Sequence, residues 1–325
     1  MTEQHVTGGP QPVDSTPPDE HPDRAGADDV APSGTLEGLV QLLDLRAEPR
    51  LGADTFIGES QPQPWGRIYG GQVLAQALVA AQRTVDPIGL DRPVHSMHAY
   101  FLRAGDDREP ITFGVERLRD GQSFSARRVL AMQYGRAILT LAASFQAPGE
   151  GLDHAEPMPD DVPPPEQLPT LAERYAHITD EGPRRWLRQR PIDLRHVTPP
   201  AYVEPAPGQV ARQQLWLRTH GPLTGAQDVP ALHAAVLAYA SDYSQLEPVL
   251  RRHGVMFALP GLRVASLDHA MWFHRPVRAD EWLFVDVTSP SAQGARGLGT
   301  SRFYTRDGVL VASAAQEGMV RVPPR

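Results

Sequence analysis

The feature that most constrains this chain is that it runs through the same plan twice. Phe101-Leu102-Arg103-Ala104 matches Phe273-His274-Arg275-Pro276 at an offset of 172 residues, and Ser144-Phe145-Gln146 matches Ala314-Ala315-Gln316 at 170. An offset that drifts by a few residues is what changes in turn length produce. Around the first pair lies an alanine-rich helix pattern, Gly71–Val85, followed by strand-like runs at Val94–Leu102, Pro110–Leu118, Ser123–Gln133 and Ala137–Phe145. Glycine-containing turns separate them at Asp120-Gly121 and Tyr134-Gly135. Around the second lies a helix pattern at Pro230–Leu246, then runs at Val264–His274, Glu281–Thr288, Gly297–Tyr304 and Val309–Gln316. In the Glu281 run, Trp282, Phe284, Asp286 and Thr288 alternate with Leu283, Val285 and Val287, the period of a strand. One helix followed by hairpin-linked strands predicts an α+β unit, an antiparallel sheet wrapped around a long helix. Two such units pair through their sheets.

Composition divides the 325 residues further. Residues 1–35 are rich in Pro, Gly, Asp and Thr and nearly devoid of large apolar side chains. They cannot bury enough surface to offset their chain entropy, which predicts a disordered tail. They hold seven acids and one arginine, so six of the eight net negative charges belong to the tail and the body is nearly neutral. The stretch 147–169, with three prolines at 163–165, reads as a linker. The expected organisation is therefore an acidic tail (1–35), a first globular block (36–147), a proline-rich linker with a helical segment near Leu171–Leu187 (148–190), and a second block (191–325).

Several function classes drop out. No basic stripe marks a nucleic-acid surface; Arg127-Arg128 and Arg251-Arg252 are too short. No apolar run approaches the ~20 residues of a membrane span, and the N-terminus lacks the pattern of a secretory signal, so a cytoplasmic protein is expected. Cysteine is absent, which excludes thiolate nucleophiles and zinc thiolate sites. Lysine is also absent, which excludes Schiff-base chemistry and a Walker A lysine. Gly121-Gln122-Ser123-Phe124-Ser125 lacks the second glycine of a nucleophile elbow, and no Gly-x-Gly-x-x-Gly follows a strand. His95 and His98 fall on opposite faces of a strand and make poor joint metal ligands. No cofactor is called for.

Asp242 stands out instead. On the predicted helix it lies on the apolar face with Ala235, Ala238 and Tyr239. A carboxylate there costs several kcal/mol unless it is hydrogen-bonded or functional; the alternative is an aspartate in the last turn that bends out to water. Ser266 and Gln316 sit on runs that should pack around this helix, and Gln316 ends the apolar alternation Leu310, Ala312, Ala314. A carboxylate, a hydroxyl and an amide are the right groups to hold a water and take its proton.

Seven stretches carry a resemblance: Tyr69–Gln76 (YGGQVLAQ), His95–Gly105 (HSMHAYFLRAG), Leu118–Val129 (LRDGQSFSARRV), Ala143–Pro148 (ASFQAP), Leu237–Asp242 (LAYASD), Leu267–Pro276 (LDHAMWFHRP) and Phe303–Glu317 (FYTRDGVLVASAAQE). Together they resemble the acyl-CoA thioesterase II family, the TesB-like double-hotdog thioesterases, over both blocks. The resemblance implies two tandem hotdog domains and metal-free hydrolysis of acyl-CoA to free fatty acid and CoA. It also implies a water held by an Asp, a Thr or Ser, and a Gln, positions that fall on Asp242, Ser266 and Gln316. Acyl-CoA is then the substrate, and hotdog sheets commonly associate into homo-oligomers. By the repeat, Gln146 echoes Gln316, Val94 lies opposite Ser266, and the position matching Asp242 falls near Gln82. The first block is thus expected to complete the sheet and shape the pocket.

Two other readings of the same scaffold stand beside this one. A hotdog enoyl-CoA hydratase uses an Asp and a His about six positions apart, a spacing that Asp268 and His274 have, though without the Asn-Pro loop between them. A non-catalytic acyl-CoA-binding module is the other, since folds host many functions.

Overall fold

The repeat folds as duplicated topology. The computed structural model describes residues 34–85, 91–178, 190–205 and 208–324. Nearly all of the acidic tail, and the expected helix past Ile178, lie outside them. The first half contains α1 (Leu36–Leu43), β1 (Arg46–Ala47), β2 (Thr55–Gly58), α2 (Gly70–Arg83), β3 (Val94–Phe101), β4 (Ile111–Asp120), β5 (Phe124–Gln133) and β6 (Arg136–Gln146). After the short α3 (Leu171–Arg174) come β7 (Ile192–His196), β8 (Arg212–Thr219), α4 (Pro230–Ser241), α5 (Glu247–Arg252), β9 (Arg263–Ser266), β10 (Asp268–Phe273), β11 (Leu283–Gln293), β12 (Arg296–Thr305) and β13 (Leu310–Arg321).

All strand pairs are antiparallel, and one sheet runs β1-β2-β4-β5-β6-β3-β10-β13-β12-β11-β8-β7, with β9 alongside β13. Read outward from its middle, the order β3-β6-β5-β4-β2 mirrors β10-β13-β12-β11-β8. The halves join where β3 meets β10, with Met97 opposite Met271 and His98 opposite Ala270.

The two central helices are buried nearly all round. In α2 the buried set runs through Gln72, Val73, Leu74, Ala75, Gln76, Ala77 and Leu78; in α4 it runs from His233 to Ser241. A helix buried on every side is a core helix, and alanine allows close approach to both the sheet and the other helix. The tightest point is Gly71, where a Cβ would sit 2.3 Å from the carbonyl oxygen of Tyr239.

Two expected elements are interrupted, and both interruptions matter below. The predicted helix Pro230–Leu246 ends at Ser241, and a turn leads to α5. Pro248 lies in the first turn of α5, where a proline is tolerated, and it bars a single unbroken helix through residues 244–248. That turn lies directly on β12: a Cβ on Gly299 would come within 1.9 Å of the Gln245 carbonyl oxygen. The predicted strand Val264–His274 is split at Leu267. Ser266 pairs with Gly318 but Ala270 with Ala315, so four steps on one strand face three on the other, a β-bulge.

The segment before α3 lies against the outer sheet face. Met158, Val162 and Leu168 pack on Trp216, Trp282, Phe284 and Tyr304, and Trp216 Nε1 donates to the Pro163 carbonyl at 2.9 Å. β11 is therefore covered on both faces, which its alternation of large aromatics with aliphatics allows.

Candidate functional site

Asp242 directly follows α4, with backbone angles that are still helical (φ −77°, ψ −10°). Its carboxylate turns inward, not to bulk water. Oδ2 accepts a hydrogen bond from the backbone N–H of Gly71 at 2.9 Å. Oδ1 accepts one from Gln316 Nε2 at 2.9 Å and one from Ser266 Oγ at 3.3 Å. Gln316 Nε2 also donates to Ser266 Oγ at 2.9 Å. Ser266, Gln316 and Asp242, separated by up to 74 residues in the chain, thus close a ring of polar contacts.

The bulge at Leu267 makes this possible. Without it, Ser266 would share a face with Asp268 and Ala270. With it, Ser266 joins His269 and Gln316 on the helix-facing side. Gln316 is 1 % exposed, as its apolar alternation predicts.

Opposing effects act on the carboxyl group. Burial favours the neutral acid and raises its pKa above the usual aspartate value. The hydrogen bonds from Gln316, Gly71 and Ser266 favour the carboxylate, as a protonated His269 would, and burial prevails. Asp242 also lies between two helix ends: the negative end of α4, where it is attached, and the positive start of α2, which Gly71 offers.

Three aromatic rings adjoin the cluster. Tyr69 stacks on Tyr243 with centroids 5.0 Å apart and meets Tyr239 edge-on, also at 5.0 Å. The Tyr69 hydroxyl donates to the Tyr239 carbonyl at 2.9 Å, and burial raises its pKa well above the usual range.

Sequence reasoning missed Gly71, His269 and Ser241. His269 is fully buried, with Nδ1 against Gln316 Oε1 and Nε2 3.0 Å from Ser241 Oγ. The alternation His269, Met271, Phe273 could have flagged it as inward-facing. The Gly70-Gly71 pair opening an alanine-rich helix was the trace of the close approach.

One of the expected equivalences inside the repeat, Gln146 with Gln316, needs correction. α2 (Gly70–Arg83) is longer than α4 (Pro230–Ser241), so matching the helix starts sets Gln82 opposite Asp242 and matching their ends sets Thr84 there; neither is an acid. Thr84 is buried and its Oγ1 accepts from Arg127 Nε at 2.7 Å. His98 pairs with Ala142, and its counterpart Ala270 pairs with Ala315; one step on, Ala143 corresponds to Gln316. Gln146 falls on the alternate face from buried Ala143 and Phe145. Val94 does lie opposite Ser266, next to an equivalent bulge. The first half thus keeps none of the three side chains. Its contribution is the Gly71 N–H.

The remaining singled-out residues lie elsewhere. His95 Nε2 contacts Ser144 Oγ at 2.8 Å, and His98 meets Trp272 edge-on at 5.3 Å. Asp268 Oδ1 accepts the Glu317 N–H at 2.8 Å, and exposed His274 contacts Ser313 Oγ at 2.9 Å. No helix among the described residues is long and apolar enough to cross a membrane.

A helix wrapped by an antiparallel sheet, duplicated within one chain and fused through its central strands, defines a tandem hotdog protein, here with Asp242 turned onto the start of α2. Residues 189–319 match the family described as acyl-CoA thioesterase, and residues 61–146 match the acyl-CoA thioesterase N-terminal domain. The chain is 40 % identical over 313 residues to acyl-coenzyme A thioesterase 8 of Rattus norvegicus, covering 90 % of this chain and 92 % of that one. It is 36 % identical over 297 residues to acyl-CoA thioesterase 2 of Haemophilus influenzae, covering 89 % and 99 %. Among solved structures, acyl-CoA thioesterase II TesB2 of Mycobacterium marinum superimposes with a TM-score of 0.69 at 42 % identity, covering 88 % and 98 %. The chain belongs to the acyl-CoA thioesterase family and is a thioester hydrolase.

Proposed function

We propose that this protein hydrolyses acyl-CoA to free fatty acid and CoA with a water activated by Asp242 and held by Ser266 and Gln316. The observation that carries the reading is the convergence of Gln316 Nε2 and Ser266 Oγ on one oxygen of Asp242. A water against that oxygen can surrender its proton to the carboxylate as it attacks the thioester carbonyl. Ser266 Oγ can accept its second hydrogen, and the Gln316 hydrogen now on Asp242 can turn to one of its lone pairs, which leaves the other lone pair free and aimed for attack. The tetrahedral intermediate expels thiolate, a good leaving group that needs little help from a general acid. The raised pKa of Asp242 suits this role, because a more basic carboxylate is a better proton acceptor at neutral pH.

The domain plan fits this chemistry: a first hotdog (36–147), a linker (148–190) and a second hotdog (191–325) that supplies all three side chains, while the first supplies the Gly71 N–H. Against the hydratase reading, Asp268 and His274 are committed to Glu317 and Ser313 and take no part in the Asp242 cluster.

Thiol release from acyl-CoA of graded chain length, by wild type and Asp242→Asn, tests the proposal. Turnover by the wild type and its loss in a folded Asp242→Asn support it. Tight acyl-CoA binding without thiol release by the wild type would favour the binding-module reading instead.

A further inference from the structure

His269 has no part in the chemistry above, yet it is among the most deeply buried polar side chains of the molecule, on β10 directly behind Gln316. Its surroundings fix where its proton sits. Gln316 Nε2 spends its two hydrogens on Asp242 Oδ1 and Ser266 Oγ. The opposite end of the amide, Oε1, can only accept, so His269 Nδ1 must be the donor to it. Burial holds the His269 pKa below its usual range, so the ring is neutral and Nε2 is a lone pair. Ser241 Oγ donates to the Ala238 carbonyl at 2.9 Å and lies 3.0 Å from Nε2, where its hydroxyl can turn to meet that lone pair.

We propose that His269 is a positioning residue that holds the Gln316 amide with its NH2 toward Asp242 and Ser266. A glutamine amide is nearly symmetric in shape, and packing alone does not choose between its two orientations. In the reversed orientation Oε1 would face the Asp242 carboxylate, and two hydrogen bonds would be replaced by a repulsion. A ring N–H on the far side removes that degeneracy, because the reversed amide would set its own NH2 against a donor. The first half supplies an internal comparison. By the strand register, the position of His269 there is Met97 and that of Gln316 is Ala143. Where no amide has to be oriented, the orienting ring is absent as well.

This inference rests on Asp242, Ser266 and Gln316 being the water-holding group, and the test separates the two. kcat, KM and melting temperature are measured for His269→Leu, His269→Asn and Asp242→Asn, with thiol release from one acyl-CoA. Leucine removes the donor; asparagine keeps an N–H at about the position of Nδ1. The expected result is a kcat loss of at least ~30-fold in His269→Leu, the size of one lost charge-linked hydrogen bond, with KM little changed. His269→Asn should recover at least roughly a tenfold share of that loss. Full kcat in His269→Leu, or equal impairment of the two variants, overturns the inference. Retained kcat in Asp242→Asn overturns the water-holding reading itself. Because the leucine variant could fail to fold, a second measurement uses wild type alone. Nitrogen–proton correlation on isotope-labelled histidine should find His269 protonated on Nδ1 and bare on Nε2; the opposite tautomer overturns the inference.

Discussion

The backbone N–H of Gly71 donates to the Asp242 carboxylate at 2.9 Å, across 171 residues of sequence. The bond exists because α2 and α4 touch where Gly71 has no side chain. In Gly71→Ala the new Cβ would lie 2.3 Å from the Tyr239 carbonyl oxygen and 2.5 Å from the Tyr69 ring, so the helices must separate. The expected cost is about 1–3 kcal/mol of stability, in the range of overpacking. The Gly71 N–H would leave Asp242 at the same time. Thermal melting and kcat of this variant should fall together; an unchanged melting temperature would show that the contact is looser than the geometry implies.

Asp242→Asn removes the proton acceptor while keeping nearly the same shape. kcat for thiol release should fall by a factor of ~10²–10⁴, the usual contribution of a positioned general base. Circular dichroism should show the fold retained.

Ser266→Ala deletes a hydroxyl that bonds both Asp242 and Gln316. A loss of roughly 10- to 100-fold in kcat is expected, from about 1.5–3 kcal/mol for a hydrogen bond to a charged group. Ser266→Thr keeps the hydroxyl, adds a methyl at a half-buried position, and should stay within a few-fold of wild type. Steady-state kinetics of the pair checks whether the hydroxyl or the side-chain volume matters.

The pH dependence of activity carries the sign of the Asp242 shift. The base works as the carboxylate, and burial lifts its pKa above the usual aspartate value of 3.8. Activity should therefore rise as pH climbs through a value above 3.8 and then level off. The acid limb of kcat/KM measures it; a limb at or below the ordinary carboxylate value would contradict the burial argument.

Glu247 offers a separate test on stability. It is fully buried, accepts the Ala201 N–H at 2.9 Å, and burial pushes its pKa from 4.5 to about 8. Between those values the folded chain holds a proton that the unfolded chain has released, so stability from this group is full below 4.5 and is lost as pH rises toward 8. Glu247→Gln cannot titrate. Its stability relative to wild type should increase with pH across that window, by at most about 1.4 kcal/mol per pH unit. Urea unfolding of both proteins at mildly acidic, neutral and mildly basic pH measures the difference.

Much of this protein could be read before any coordinates. The order of helix and strands, the duplication, and the buried alternation ending at Gln316 follow from local periodicity, because the side-chain direction of a helix or strand repeats with its own residues. Residue type and family resemblance point to the trio Asp242, Ser266 and Gln316. Pro248, in the first turn of α5, is the local mark that one helix does not run unbroken through residues 244–248.

What the chain alone decided was which segments are helix and strand and which residues carry the acid, hydroxyl and amide, all properties of near neighbours in sequence. Only the tertiary structure decided that these groups meet. Ser266 faces Asp242 because one extra residue at Leu267 reverses the strand's alternation. The first half enters the site through a backbone N–H, which no side-chain pattern records. Gln146 fails as the partner of Gln316 because the strand register places Ala143 there. Registers, bulges and helix contacts are set by packing between segments distant in the chain, where local periodicity carries no information.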